Sequence, residues 1–103
     1  MSGVAVVTGG SGGIGSAIVR ELKAASWAVT SLSRREGCDV SDEQQVKKAF
    51  GALRSLDALI NCAAVLIKRP VTELTAEEWD LQLNAGLRSA FLCSREAFRF
   101  MRD

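Results

Sequence analysis

The chain has 103 residues, 48% of them hydrophobic, with 13 Lys and Arg against 12 Asp and Glu and a formal net charge of +1. That balance offers no electrostatic reason for nucleic acid or an acidic membrane as partner, and the apolar content with a single Pro argues against disorder. No apolar run reaches the ~18 residues of a membrane span, and the absence of His and Tyr removes the commonest general base and the only phenolic acid.

Val4 to Thr8 is an apolar, largely β-branched run that reads as a buried strand and begins almost at the N-terminus, with no basic leader before it. A cytoplasmic protein is expected. The glycine-rich stretch Gly9 to Gly15 follows. From Ile14 onward, Ala17, Ile18, Leu22 and Ala25 recur at helical spacing, with Arg20, Glu21 and Lys23 facing away. Trp27 to Leu32 reads as a second strand, and Arg34 to Gly37 as a polar turn. Cys38-Asp39-Val40 is expected as a very short third strand. Ser41 is expected to cap the next helix, with Gln44 completing a capping box and Val46, Ala49, Phe50 and Leu53 as its buried stripe. Leu56 to Ala64 reads as a fourth strand. Thr75 and Glu78 form a second capping box ahead of one long helix from about Ala76, roughly 40 Å at 1.5 Å per residue. Its apolar stripe includes Trp79, Leu83, Leu87 and Phe91, while Arg88, Arg95, Arg99 and Arg102 read as a solvated face. Cys38, Cys62 and Cys93 lack metal-ligand spacing and read as reduced thiols.

Strands alternating with helices imply right-handed βαβ units, hence a Rossmann-like, doubly wound α/β sheet of about four parallel strands in the order 3-2-1-4. Ligands would bind at the switch point between strands 1 and 4. The glycine stretch lies between the first strand and the first helix, where backbone N–H groups can cradle a pyrophosphate. Two spacings fit it: Gly10-x-Gly12-x-x-Gly15, the dinucleotide fingerprint, and Gly9-x-x-x-Gly13-x-Gly15. An NTPase phosphate loop would need Lys before Ser16, where Gly15 stands. Gly9-x-Ser11-x-Gly13 also matches a hydrolase nucleophile elbow, but a chain without His leaves Ser11 without its usual base.

Thr8-Gly9-x-x-x-Gly13-Ile14-Gly15 resembles the TGxxxGxG cofactor motif of the short-chain dehydrogenase/reductase family. Asp39-Val40 resembles the family's adenine-contacting pair, and Asn61-Cys62-Ala63-Ala64 its NNAG segment. Asn84, five residues after Trp79, resembles the asparagine of the catalytic tetrad, although a plain polar residue in an amphipathic helix fits there too. The resemblance covers essentially residues 1–103 and implies an NAD(P)-binding Rossmann-type domain, the N-terminal part of the family's fold.

The resemblance also implies hydride transfer between nicotinamide and a carbonyl or alcohol substrate. Its cofactor residues would be Thr8, Gly9, Ser11, Gly12, Gly13, Ile14, Gly15, Ser33, Arg34, Asp39, Val40, Asn61, Ala63 and Ala64. Thr8 is expected to pin the loop, and Asn61 to hold backbone groups between neighbouring strands. Ser33-Arg34 after the second strand favours NADP, because Arg34 can pair with a 2′-phosphate; Gly12, where many NADP-preferring relatives carry a basic residue, and the nearby Glu36 keep NAD open. The family's Ser and Tyr-x-x-x-Lys follow the long helix, and residues 1–103 contain no Tyr. The expectation is therefore a truncated cofactor-binding half, inactive by itself. The alternative is a non-catalytic dinucleotide-binding or interaction module. In either reading the open edge of strand 4 and one side of the last helix invite homo-oligomers or docking to a C-terminal half.

Overall fold

The computed structural model describes residues 3–102. Among these, β1 (Val4–Thr8) leads to α1 (Gly13–Ala24), β2 (Ala28–Leu32), a 3₁₀ turn (Arg34–Glu36), α2 (Glu43–Gly51) and β3 (Ala58–Asn61). Then come α3 (Ala76–Leu83), a π-helical turn (Asn84–Arg88) and α4 (Ser89–Met101), which run on as one long helix. The described sheet is parallel, in the order β2-β1-β3. Thr8 lies opposite Leu32 on one side and Asn61 on the other, so all three strands end at the same level.

The described sheet therefore has three strands where four were expected, with β3 in the place foreseen for strand 4. Cys38-Asp39-Val40 is not a strand. Its backbone donors are taken locally: Cys38 N–H by the Ser33 carbonyl at 2.9 Å and Asp39 N–H by Gln45 Oε1 at 2.8 Å. Gly37, at φ +85°, has just turned the chain into that segment. β2 and β3 are also shorter than expected, at Ala28–Leu32 and Ala58–Asn61; past Asn61 the N–H groups of Cys62 and Ala63 go to the Thr8 hydroxyl and not to a strand.

α2 is capped by Asp42 and not by Ser41: the Asp42 carboxylate accepts from Gln45 N–H at 3.0 Å. The Ser41 hydroxyl is engaged by Asp39 at 2.7 Å, which moves the cap one residue on. The Thr75–Glu78 capping box forms as expected, with both reciprocal bonds in place. α1 ends on Ser26 at φ +68°, a left-handed conformation in which Trp27 N–H reaches back to the Leu22 carbonyl.

The core packs Val6 of β1 and Leu32 of β2 against Val46 and Phe50 of α2, Leu56, and Leu92, Cys93 and Ala97 of α4. α4 thus turns Leu92, Cys93 and Ala97 inward. Trp79, Leu83, Leu87 and Phe91 are exposed, contrary to the role of core stripe: a four-residue step advances 40° beyond a full turn, so that row winds off the packed face. The arginine face is not simply solvated either. Arg88 Nε donates to the Ser41 carbonyl, Arg95 pairs with Glu43 of α2 and lies over the Phe91 ring, and Arg99 pairs with Glu96 at 3.6 Å.

Candidate functional site

Where the three strands end, a cleft of about 350 Å³ opens. One wall is the glycine turn with Gly9, Ser11 and Gly12; a second is Ser33, Arg34, Asp39, Val40 and Ser41; a third is Cys62, Ala63, Ala64 and Val65; Leu81, Asn84 and Ala85 close it from the long helix. This is the crevice at the C-terminal edge of a parallel sheet, beside the first strand, where such folds take their ligands.

The glycine turn separates two kinds of glycine. Gly9 sits at φ +67°, and a Cβ there would lie 2.9 Å from Ala63 N and Cα; a Cβ on Gly15 would lie 2.1 Å from the Gly9 carbonyl oxygen. Both are demanded by the turn's own packing. A Cβ on Gly13 would meet nothing within 4 Å. Space stays open there over the first turn of α1, whose N-cap, Gly12, supplies no side-chain hydrogen bond. Among the described residues nothing accepts from the N–H groups of Gly13, Ile14 and Gly15. Unpartnered donors at the positive end of a helix dipole, with open space at Gly13, suit an anion such as a pyrophosphate.

Thr8 is wholly buried below the turn. Its hydroxyl oxygen accepts from both Cys62 N–H and Ala63 N–H at 3.1 Å, tying the end of β1 to the segment after β3. The bridging expected of Asn61 thus falls to Thr8. Asn61, exposed at the end of β3, donates instead to the Ser94 hydroxyl of α4 at 3.4 Å. Thr8, Gly13, Ile14, Gly15 and Asn61 frame the cleft without lining it.

At the end of β2, Ser33 and Ser31 both donate to the Glu36 carboxylate, at 2.8 and 2.7 Å. Arg34 extends into solvent with its Nη2 3.6 Å from Asp39 Oδ2. The hydroxyl and N–H of Ser41 and the nearby Arg34 charge hold the Asp39 carboxyl below its ordinary value. Burial, reinforced by Asp39 and Asp42, pushes the Cys38 thiol up, and burial pushes Cys93 up to about 12. Both thiols are thereby kept protonated and poorly nucleophilic.

Leu32, Cys38, Ser41, Val65, Leu81 and Ala85 also line the cleft and belonged to no cofactor motif, and Cys62 lines it from within the Asn61–Ala64 segment without having been singled out as a contact. Leu32 and Cys62 were reachable as the residues beside the strand ends. Leu81 and Ala85 depend on how the long helix crosses the sheet. The helix changes pitch at Asn84–Arg88, where the Ser89 hydroxyl donates to the carbonyls of Ala85 and Gly86 at 2.6 and 3.0 Å. Such π-turns occur often at functional sites. The Asn84 carboxamide makes no hydrogen bond among the described residues.

Comparison with known proteins agrees with this architecture. Residues 33–103 match the family model described as Enoyl-(Acyl carrier protein) reductase. L-xylulose reductase of Bos taurus is 31% identical over 107 residues, a stretch covering 88% of this chain and 44% of that protein. The chain spans about half the length of the curated relatives it matches. A small-chain dehydrogenase solved in complex with NADPH superposes with a TM-score of 0.88 at 27% identity, over 97% of this chain and 46% of that one. A short-chain dehydrogenase from Leptospira borgpetersenii with bound NAD+ superposes at 0.86, also at 27% identity, over 96% and 46%.

Proposed function

The chain belongs to the short-chain dehydrogenase/reductase family, and from that premise we propose that residues 1–103 form the nicotinamide-dinucleotide-binding half of an oxidoreductase acting on a small carbonyl or alcohol. The observation that carries this reading is the glycine turn itself: Gly9, Ser11 and Gly12 line the cleft at the strand ends, and the N–H groups of Gly13–Gly15 that follow have no partner among the described residues, with open space at Gly13. In it, the turn N–H groups hold the pyrophosphate and Thr8 keeps Gly9 seated against Ala63. Ser33 and Arg34 receive the adenosine ribose, Asp39 and Val40 flank the adenine, and Ala63 and Ala64 run alongside the dinucleotide. A bound nicotinamide dinucleotide supplies hydride-transfer chemistry. Asn84 stands on the helix wall as the tetrad asparagine, with a proton-relay role.

NADP is the cofactor we propose. Arg34 is exposed, and its single ionic partner among the described residues, Asp39, lies at 3.6 Å, so the guanidinium can turn to a 2′-phosphate at little cost. Glu36 is engaged by two serine hydroxyls and is not among the residues lining the cleft. Titration calorimetry of the chain with NADPH and NADH tests both parts. Binding of NADPH that is at least several-fold tighter than NADH is expected; no heat from either would overturn the reading. With no Tyr in residues 1–103, no carbonyl reduction is expected from this chain alone, and NADPH oxidation by it in the presence of a carbonyl panel would refute that.

Self-association or docking to a C-terminal half is a second reading, supported by the exposed row Trp79, Leu83, Leu87 and Phe91 and by the edge position of β3. Sedimentation of a monomer across a wide concentration range would count against self-association. No described helix is long and apolar enough to cross a membrane.

A further inference from the structure

Two walls of the cleft come from distant parts of the chain: the 39–41 segment ahead of α2 and the π-turn at Asn84–Arg88. One side chain joins them. Arg88 Nε donates to the Ser41 carbonyl at 2.8 Å. Ser41 then donates twice to Asp39 Oδ1, from its N–H at 3.0 Å and its hydroxyl at 2.7 Å, and Asp39 Oδ2 faces Arg34. The 38–40 segment pairs with no strand; it is held by the burial of Cys38 and Val40 in the core, by Cys38 N–H to the Ser33 carbonyl and Asp42 N–H to the Asp39 carbonyl, by Gln45, which accepts from Asp39 N–H, and by these side-chain bonds.

We infer that Arg88 is a positioning residue of the cofactor cleft: by gripping the Ser41 carbonyl it sets the Asp39–Ser41 wall at a fixed distance from the π-turn that carries Asn84. The inference rests on the dinucleotide reading of the cleft. A guanidinium suits the task, since a planar, always-charged donor on a helix holds a loop carbonyl with a charge-assisted bond and defined direction. The bond is exposed to solvent, which keeps its strength at the modest end. Only the adenosine end of a ligand should sense it. The nicotinamide mononucleotide end would rest on the glycine turn and on Ala63 and Ala64, to which Arg88 makes no hydrogen bond among the described residues.

The test compares the full chain with Arg88→Ala and Arg88→Lys, titrated with NADPH, adenosine 2′,5′-bisphosphate and nicotinamide mononucleotide. Arg88→Ala is expected to weaken NADPH and the bisphosphate alike, by about 5-fold, and to leave the mononucleotide unchanged. Arg88→Lys, which retains a cationic donor, is expected to recover part of the loss. Equal weakening of all three ligands, or of none, would overturn the inference. Amide hydrogen exchange reads the tether without ligand. In Arg88→Ala, Ser41 N–H should exchange faster while Gln45 N–H, held by Asp42, keeps its rate; unchanged exchange at Ser41 would overturn the tether. If the unmodified chain binds neither NADPH nor the bisphosphate, the cleft reading falls and takes the positioning role with it, while the exchange result still decides whether Arg88 holds the wall.

Discussion

The Thr8 hydroxyl accepts from Ala63 N–H at 3.1 Å across 55 residues of sequence, and from Cys62 N–H at the same distance. A short β-branched hydroxyl at the buried end of the central strand satisfies two backbone donors that no strand pairing reaches, and seats Gly9 against the segment after β3. Thr8→Val keeps the shape and removes the acceptor. It is expected to destabilise the chain by about 1–3 kcal/mol, the cost of leaving buried donors unsatisfied, with Thr8→Ser recovering most of it. Urea unfolding followed by circular dichroism measures both.

Gly13 and Gly15 should separate binding from folding. Gly13→Asp introduces a carboxylate into open space, so the fold should survive while dinucleotide binding is lost through repulsion of the pyrophosphate. Gly15→Ala places a Cβ 2.1 Å from the Gly9 carbonyl oxygen and should distort the turn or lower stability by about 1–3 kcal/mol. A thermal melt and a titration of each variant check the pair. Equal thermal loss in both would refute the division.

Ser26 ends α1 at φ +68° although it carries a Cβ. Ser26→Gly should relieve that conformation and stabilise the chain by about 0.5–1 kcal/mol, read as a rise in melting temperature.

Asp39 gives the chain an acid-sensitive element. Hydrogen bonds from Ser41 and the Arg34 charge depress its folded value below 3.8, so its stabilising contribution is fully present above that value and is lost as pH falls through the folded one. Asp39→Asn should flatten the fall in stability below about pH 4, as measured by denaturant midpoints across acidic buffers. An unaltered acid slope would show that Asp39 contributes nothing to it.

Thiol labelling should follow environment. Cys93 is pushed to about 12 and Cys38 is also raised, both mainly by burial, while Cys62 lines the cleft and is only half buried. Alkylation at pH 8 should modify Cys62 first, and NADPH should slow it. Mass mapping of the labelled sites checks the order.

Much of this was legible in the residues themselves. β1, the glycine turn, the Thr75 cap and the alternation of strands and helices rest on local signals: β-branched runs, glycines with no alternative use, and a serine-type cap with Glu three positions on. These are short-range properties of a backbone, and a linear sequence carries them. The expected third strand does not form because Asp39 and Ser41 bond each other and Gln45 takes the Asp39 N–H, a local competition that apolar patterning does not register. Which face of the long helix is buried, which arginines reach α2 and the segment before it, and which partner Asn61 finds depend on the path of α3 and α4 across the sheet. A four-residue repeat marks a helical row but not the direction in which it points. The sequence alone therefore determined the strand–turn–helix whose first-turn N–H groups have no partner among the described residues. Only the tertiary structure decided how the cleft around it is walled, because Arg88, Ser41 and Asp39 meet through packing between elements far apart in the chain.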